Sequence, residues 1–281
     1  MQHTFSLHKI NHSDTFGFCP ADYSRFKFGD DTVAQKFGTA LADQFIKQWL
    51  RHHPVNAQLV VISSPYSFIP TATFAMKNYF VFTLNRWLAE NNFNVVQETK
   101  VHRTITYKED YGELDAEQRM NLIGNDSFHI DKDFLVGKTL LFLDDIKITG
   151  SHERMINKML TAYNLNNDTH LLYFAELENK SIHPNIENQL NYSFVKSIFD
   201  LDSIIKNERF CINTRLVKYI LNADPDAFKI FIQNHSTDFI NLLYNSALGN
   251  GYHTIEAYQQ NLNVLKVYSS SDMKSIALND N

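Results

Sequence analysis

The 281-residue sequence predicts an α/β fold, a mostly parallel sheet flanked by helices, followed by an α-helical C-terminal extension. Three observations carry that prediction. Apolar runs of strand length alternate with helical patterns between residues 58 and 175, as units with right-handed crossovers require. The run Leu140, Leu141, Phe142, Leu143 is continuously apolar and bounded by polar residues, which suits a parallel strand covered on both faces. Beyond about Asn179 the alternation ceases and helical spacing dominates.

From the amino terminus, residues 3 to 19 alternate loosely and suit an edge strand or an arm. Tyr23 to Gly29 carries Arg25 and Lys27 among aromatics, which reads as a packed turn with solvated charges, or as a segment turning Lys27 to a ligand. From Asp31 onward Val33, Phe37, Leu41, Phe45 and Trp49 recur four apart, a core-facing helix that Asp30 or Asp31 can cap. Gln58 to Ile62 forms the next strand and runs into Ser63, Ser64, Pro65, Tyr66 and Ser67 before a helix over 71–89. That helix carries Phe74, Tyr79, Phe80, Phe82 and Trp87, read as core or as a subunit contact, so a homodimer stays open.

Asn94 to Lys100 suits a third strand. Residues 101 to 130 then make a connection too long for a plain link, polar and bearing Arg103, Lys108 and Arg119, which suits a lid that brings guanidinium groups onto phosphates. The strand at Leu140 to Leu143 ends at Asp144 and Asp145, and Thr149-Gly150-Ser151 opens an amphipathic helix through Met155, Ile156, Met159 and Leu160. His170 to Phe174 is another strand, beyond which Glu176 either approaches the site or is solvated. Pro184, Asn185 and Asn188 mark a break, Tyr192 to Ile198 suits a short strand, and Asp224-Pro225-Asp226 a helix start. Residues 1–180 are therefore expected to form the α/β core with an N-terminal arm, and 181–281 a mainly helical region.

At 44% hydrophobic and 20% charged residues the chain is expected to be globular, and a net charge of −5 argues against a broad nucleic-acid surface. Cys19 and Cys211 read as free thiols, and no Cys/His cluster suggests zinc. The first residues lack signal-peptide features and no window reaches a membrane span, so a cytoplasmic location is expected.

The chemistry gathers at residues 144–151. Acids beyond a parallel strand's carboxyl end stand where ligands bind in open α/β sheets. A glycine between two hydroxyl residues at a helix start makes an anion cradle from backbone N–H groups. Carboxylates followed by such a cradle suit a sugar phosphate with a divalent metal, the acids accepting bonds from ribose hydroxyls or holding metal-bound water.

Here the sequence resembles the type I phosphoribosyltransferases, whose signature is an apolar strand, two acids, a short variable piece, then Thr-Gly and a small hydroxyl residue. It reads Leu140 to Leu143, Asp144, Asp145, Ile146 to Ile148, Thr149, Gly150, Ser151, with His152 where many relatives carry threonine. The order Arg103-Thr104, Leu114, Arg119, Asn121, Phe128 and Gly137-Lys138 resembles the ComF-type members, which also carry a Lys-aromatic pair upstream as at Lys27.

The resemblance implies binding of 5-phosphoribosyl 1-pyrophosphate (PRPP) with magnesium, and phosphoribosyl transfer to an unidentified nitrogen acceptor with release of pyrophosphate. It implies catalytic roles for Asp144, Asp145, Arg103 and Arg119, with the metal at Asp144 and Asp145. Ile146, Lys147, Ile148, Thr149, Gly150 and Ser151 would surround the 5-phosphate, and Ser63, Ser64, Tyr66 and Ser67 the diphosphate. The glycines and basic residue usual in that last loop are missing. Two alternatives therefore stay open: a regulatory protein that binds PRPP or a ribose phosphate without turnover, and an enzyme cleaving ribose-phosphate or nucleotide glycosidic bonds. Residues 181–281 would serve as a hood or acceptor-recognition region.

Overall fold

A computed structural model of the chain describes residues 1–103 and 128–279. Five strands make the main sheet: β1 (Gln2–Ile10), β2 (Leu59–Ser63), β3 (Gln97–Lys100) and, after the short antiparallel pair β4 (His102–Arg103) and β5 (Phe128–His129), β6 (Thr139–Lys147) and β7 (Thr169–Leu177). Their order is β1-β7-β6-β2-β3, every neighbouring pair parallel. The loose alternation near the amino terminus is thus an edge strand.

Helices α1 (Pro20–Lys27), α2 (Asp31–Gln48), α3 (Ala72–Glu90), α4 (Lys132–Leu135) and α5 (Ser151–Ala162) accompany the sheet. Alternation along β6 sends Leu141 and Leu143 into a core with Leu41 and Phe45 of α2 and Met76 and Phe80 of α3. Leu140 and Phe142 enter the opposite core with Met159 and Leu160 of α5 and Leu135 of α4. Both faces are covered, as the unbroken apolar run predicts.

The chain leaves β2 toward β3 on one side, and leaves β6 toward β7 on the other. That reversal makes a topological switch point at the carboxyl ends of β2 and β6, where Ser63 lies beside Leu143 and where open α/β sheets bind their ligands.

Three local expectations are corrected. Tyr23 to Gly29 is not a turn with solvated charges: Pro20 starts α1, Asp22 and the pair Arg25 and Lys27 suit its two ends, and Lys27 is buried. The helix stops at Gly29, whose φ of +101° and lack of a Cβ, which would lie 2.3 Å from the Cys211 carbonyl oxygen, make glycine necessary. Strand β6 does not end at the acids, because Asp144, Ile146 and Lys147 keep pairing with Tyr173, Ala175 and Glu176. Tyr192 to Ile198 is not a strand, since Val195 and Ile198 are buried in a helical core and the next turn is 3-10, held by a Ser197–Asp200 capping box.

Beyond the sheet, α6 (Ile186–Asn191) packs on α1 and adds Ile186 and Leu190 to the first core. Helices α7 (Asp202–Ile205), α8 (Thr214–Leu221), α9 (Pro225–Gln233), α10 (Thr237–Gly249) and α11 (Gln259–Asn279) surround a separate apolar core that includes Leu216, Phe228, Phe231, Leu243 and Leu265. Side chains of Asn213, Asp224 and Ser236 cap three of these helices. Two residues from the α/β part, Phe28 and Ile69, enter this core. The extension therefore grips the segments that follow α1 and β2.

At the sheet's other end His170 is buried beside Trp49, Phe45 and His3, and burial pulls its imidazole down to about 4. The unfolded chain takes up the proton near the ordinary value of about 6.5, before the folded chain does. Stability is therefore full above that value and falls as pH drops toward 4, by about 2–3 kcal/mol. His170→Leu should flatten this limb in urea unfolding at stepped pH; an unchanged slope would contradict it.

Among the described residues no helix is long and apolar enough to cross a membrane, and Cys19 and Cys211 are exposed free thiols.

Candidate active site

Strand β6 continues through Asp144 and Asp145, whose carboxylates lie close enough to interact with each other while each also takes its own partners. Asp145 follows Leu141 and Leu143 toward α1 and α3. There the Tyr23 hydroxyl donates to its Oδ2 at 2.6 Å, the Lys27 ammonium pairs with the same oxygen, and Thr73 Oγ1 donates to Oδ1 at 3.3 Å. Burial pushes this carboxyl up, but the Lys27 charge and the hydroxyl bond outweigh it and hold Asp145 well below the usual carboxylate range.

Asp144 has its further partner on α5. Its Oδ2 lies 2.5 Å from His152 Nδ1 at the start of α5, and its Oδ1 accepts the Asp145 N–H at 3.0 Å. Burial raises the Asp144 carboxyl against the lowering effect of His152. His152, which departs from the resembled pattern, thus partners the first acid.

The loop after β6 turns at Gly150, whose φ of +70° is left-handed. Thr149 Oγ1 and Ser151 Oγ lie 2.7 Å apart, and the Arg154 guanidinium closes over them, donating to Thr149 O at 2.9 Å and to Ser151 Oγ at 3.0 Å. The first turn of any α-helix presents N–H groups that no intrahelical carbonyl takes, and α5 has no side-chain cap. Ile146 and Ile148 are buried in the core, so only their backbone is available to a ligand. Lys147 is engaged by Glu153 at 2.6 Å and Glu176 at 3.3 Å. Glu176 is held at about 2: burial raises it, but Lys9, Ser6 and Lys147 outweigh burial.

On the β2 side Ser63 is buried, Ser64 and Tyr66 are half-buried and Ser67 is exposed. The loop is anchored from the extension: Asn250 Oδ1 accepts the N–H groups of Phe68 and Ile69, each at 3.0 Å, and Thr214 N donates to Pro70 O at 3.0 Å. A basic group does stand here, from another strand: Lys100 pairs in register with Ser63 and its Nζ lies 4.7 Å from the Tyr66 ring centre. Thr71 Oγ1, at the start of α3, is buried with no hydrogen-bond partner among the described residues. Arg119 and Lys108 lie outside the described residues, and for Arg103 only the backbone, in β4, is described.

The carboxylates do not fit direct coordination of magnesium. Both Asp145 oxygens are taken, one by an ammonium, and the Asp144 oxygens are taken by the Asp145 N–H and by His152, whereas magnesium demands near-octahedral oxygen ligands at about 2.0–2.1 Å.

The sequence matches the PRTase ComF-like phosphoribosyltransferase family over residues 1–265. The chain belongs to that family. Among solved structures this ComF-like chain is similar to a hypoxanthine phosphoribosyltransferase from Staphylococcus aureus, at 11% identity over 57% of this chain and 86% of that one, TM-score 0.32. It is also similar to the L. donovani hypoxanthine-guanine phosphoribosyltransferase (12%, 52% and 70%, TM-score 0.31) and to an adenine phosphoribosyltransferase (19%, 50% and 70%, TM-score 0.29). None of the curated proteins compared matches it.

The ComF-like signature thus brings together Asp144, Asp145 and the Thr149–Ser151 loop, with β2 delivering Ser63 to the neighbouring position. Four contributors escaped the sequence reading: Tyr23, Thr73, Lys100 and Arg154. Only Arg154 left a local signal, standing one helical turn after Gly150.

Proposed function

We propose that this ComF-like chain binds PRPP at the carboxyl ends of β2 and β6 and transfers the phosphoribosyl group to a nitrogen acceptor with release of pyrophosphate. The observation that carries the reading is the Gly150 loop with Arg154 closed over it, lying at the sheet's switch point in a member of a phosphoribosyltransferase family. The 5-phosphate takes the loop N–H groups, the Thr149 and Ser151 hydroxyls and Arg154. Asp144 accepts from ribose hydroxyls. The diphosphate lies toward Ser63, Ser64, Tyr66, Ser67 and Lys100, with Arg103 and Arg119 proposed to cover it. Magnesium, where PRPP carries it, stays with the ligand's own oxygens. The chain's task is then to align acceptor and anomeric carbon and to balance charge as the diphosphate leaves.

Thermal unfolding with PRPP tests this directly. PRPP at about a hundred times its Kd should raise Tm by about 5–10 °C. Gly150→Ala, which forces a side chain into left-handed backbone at about 1–2 kcal/mol, should lose much of that shift. No shift in the intact chain would sink the reading. Pyrophosphate release with a panel of nucleobases then separates transfer from the alternatives, since binding without release means a regulatory protein and base-independent release means hydrolysis.

A further inference from the structure

We propose that Lys27 is the resident counter-cation of Asp145, so that the ribose-phosphate site binds its ligand without a metal ion on the acid pair. This rests on the PRPP reading and adds to it what neutralises the second acid. Lys27 Nζ and Asp145 Oδ2 are in direct contact, with the two side chains only 11% and 8% exposed. The same oxygen takes the Tyr23 hydroxyl and the other takes Thr73, so the carboxylate has its donors from within the chain.

The lysine is held where it is from both ends. Its carbonyl accepts Asn213 Nδ2 at 3.1 Å from the helical extension, and its ammonium lies 5.7 Å from the Tyr23 ring centre. It closes the last turn of α1, which Gly29 terminates against Cys211. A divalent cation reaching Asp145 would meet an ammonium at contact distance, and it would find the Asp144 oxygens already engaged by His152 and by the Asp145 N–H. With its second acid neutralised by lysine, the site needs no accompanying cation to accept an anionic pentose 5-phosphate at Thr149–Arg154.

Ribose 5-phosphate, which lacks the metal-chelating diphosphate, is the probe. Calorimetry on the full chain should give Kd values in EDTA and in magnesium that agree within about twofold. In parallel, the electron spin resonance signal of free Mn²⁺ should be unaltered by the wild-type chain and diminished by Lys27→Met, which frees the Asp145 carboxylate. Magnesium-dependent binding of ribose 5-phosphate, or Mn²⁺ uptake by the wild-type chain, would overturn the counter-cation while leaving the PRPP reading intact. Failure to bind ribose 5-phosphate under either condition would remove both. The wild-type comparisons decide the matter even where Lys27→Met does not fold.

Discussion

Lys27→Met is expected to destabilise the chain by about 3–5 kcal/mol, because it leaves the Asp145 carboxylate buried without its cation. The asymmetry of buried ion pairs makes the companion result more telling. Lys27→Met combined with Asp145→Asn removes the charge along with its partner and retains an oxygen to accept from Tyr23, its amide nitrogen donating to the Thr73 hydroxyl, so it should be more stable than Lys27→Met alone. Urea midpoints of the single and double variants measure this. The pH dependence adds an independent sign. Lys27 holds Asp145 below the usual range, so in the wild type the pair's contribution is present above the unfolded value of about 3.9 and is lost as pH falls through the folded one. The deficit of Lys27→Met should therefore shrink in acid. A deficit that grows there would argue that Lys27 acts through packing alone.

Asn250→Ala should cost about 2–4 kcal/mol, since it removes the acceptor of two N–H groups, one of them on the buried Ile69, and an unsatisfied buried donor costs about 1–3 kcal/mol. The loss should appear at a distance from the substitution. Amide hydrogen exchange at Phe68 and Ile69 should rise, and PRPP stabilisation should weaken, because these residues fix the segment beginning at Ser63. Asn250→Asp keeps the acceptor oxygen and should retain most of the exchange protection. Unchanged exchange in Asn250→Ala would contradict the anchoring role.

The sheet was legible in the sequence because its strands are apolar runs of the right length: Leu59 to Ser63 and Thr139 to Leu143 bury both faces, and local pattern suffices to find them. The disposition of the acids was not read, although the information was present. Ending the strand at Leu143 puts Asp144 and Asp145 in a loop, whereas the buried Ile146 and Ile148 beyond them continue the extended apolar pattern and keep both acids within the paired strand. Other features lie beyond any local pattern. Lys27 meets Asp145 across 118 positions, and Asn250 meets Ile69 across 181, so neither contact is available from spacing. Tyr192 to Ile198 looked extended because Val195 and Ile198 are β-branched, but their burial in the helical core decides their conformation.

The most direct test of the account is to locate the phosphate on the chain. In amide-resolved NMR of the full chain with ribose 5-phosphate added, the largest shifts should fall on the backbone N–H groups from Thr149 to Arg154, with smaller ones near Asp144. Largest shifts elsewhere, or none at saturating ligand, would contradict it.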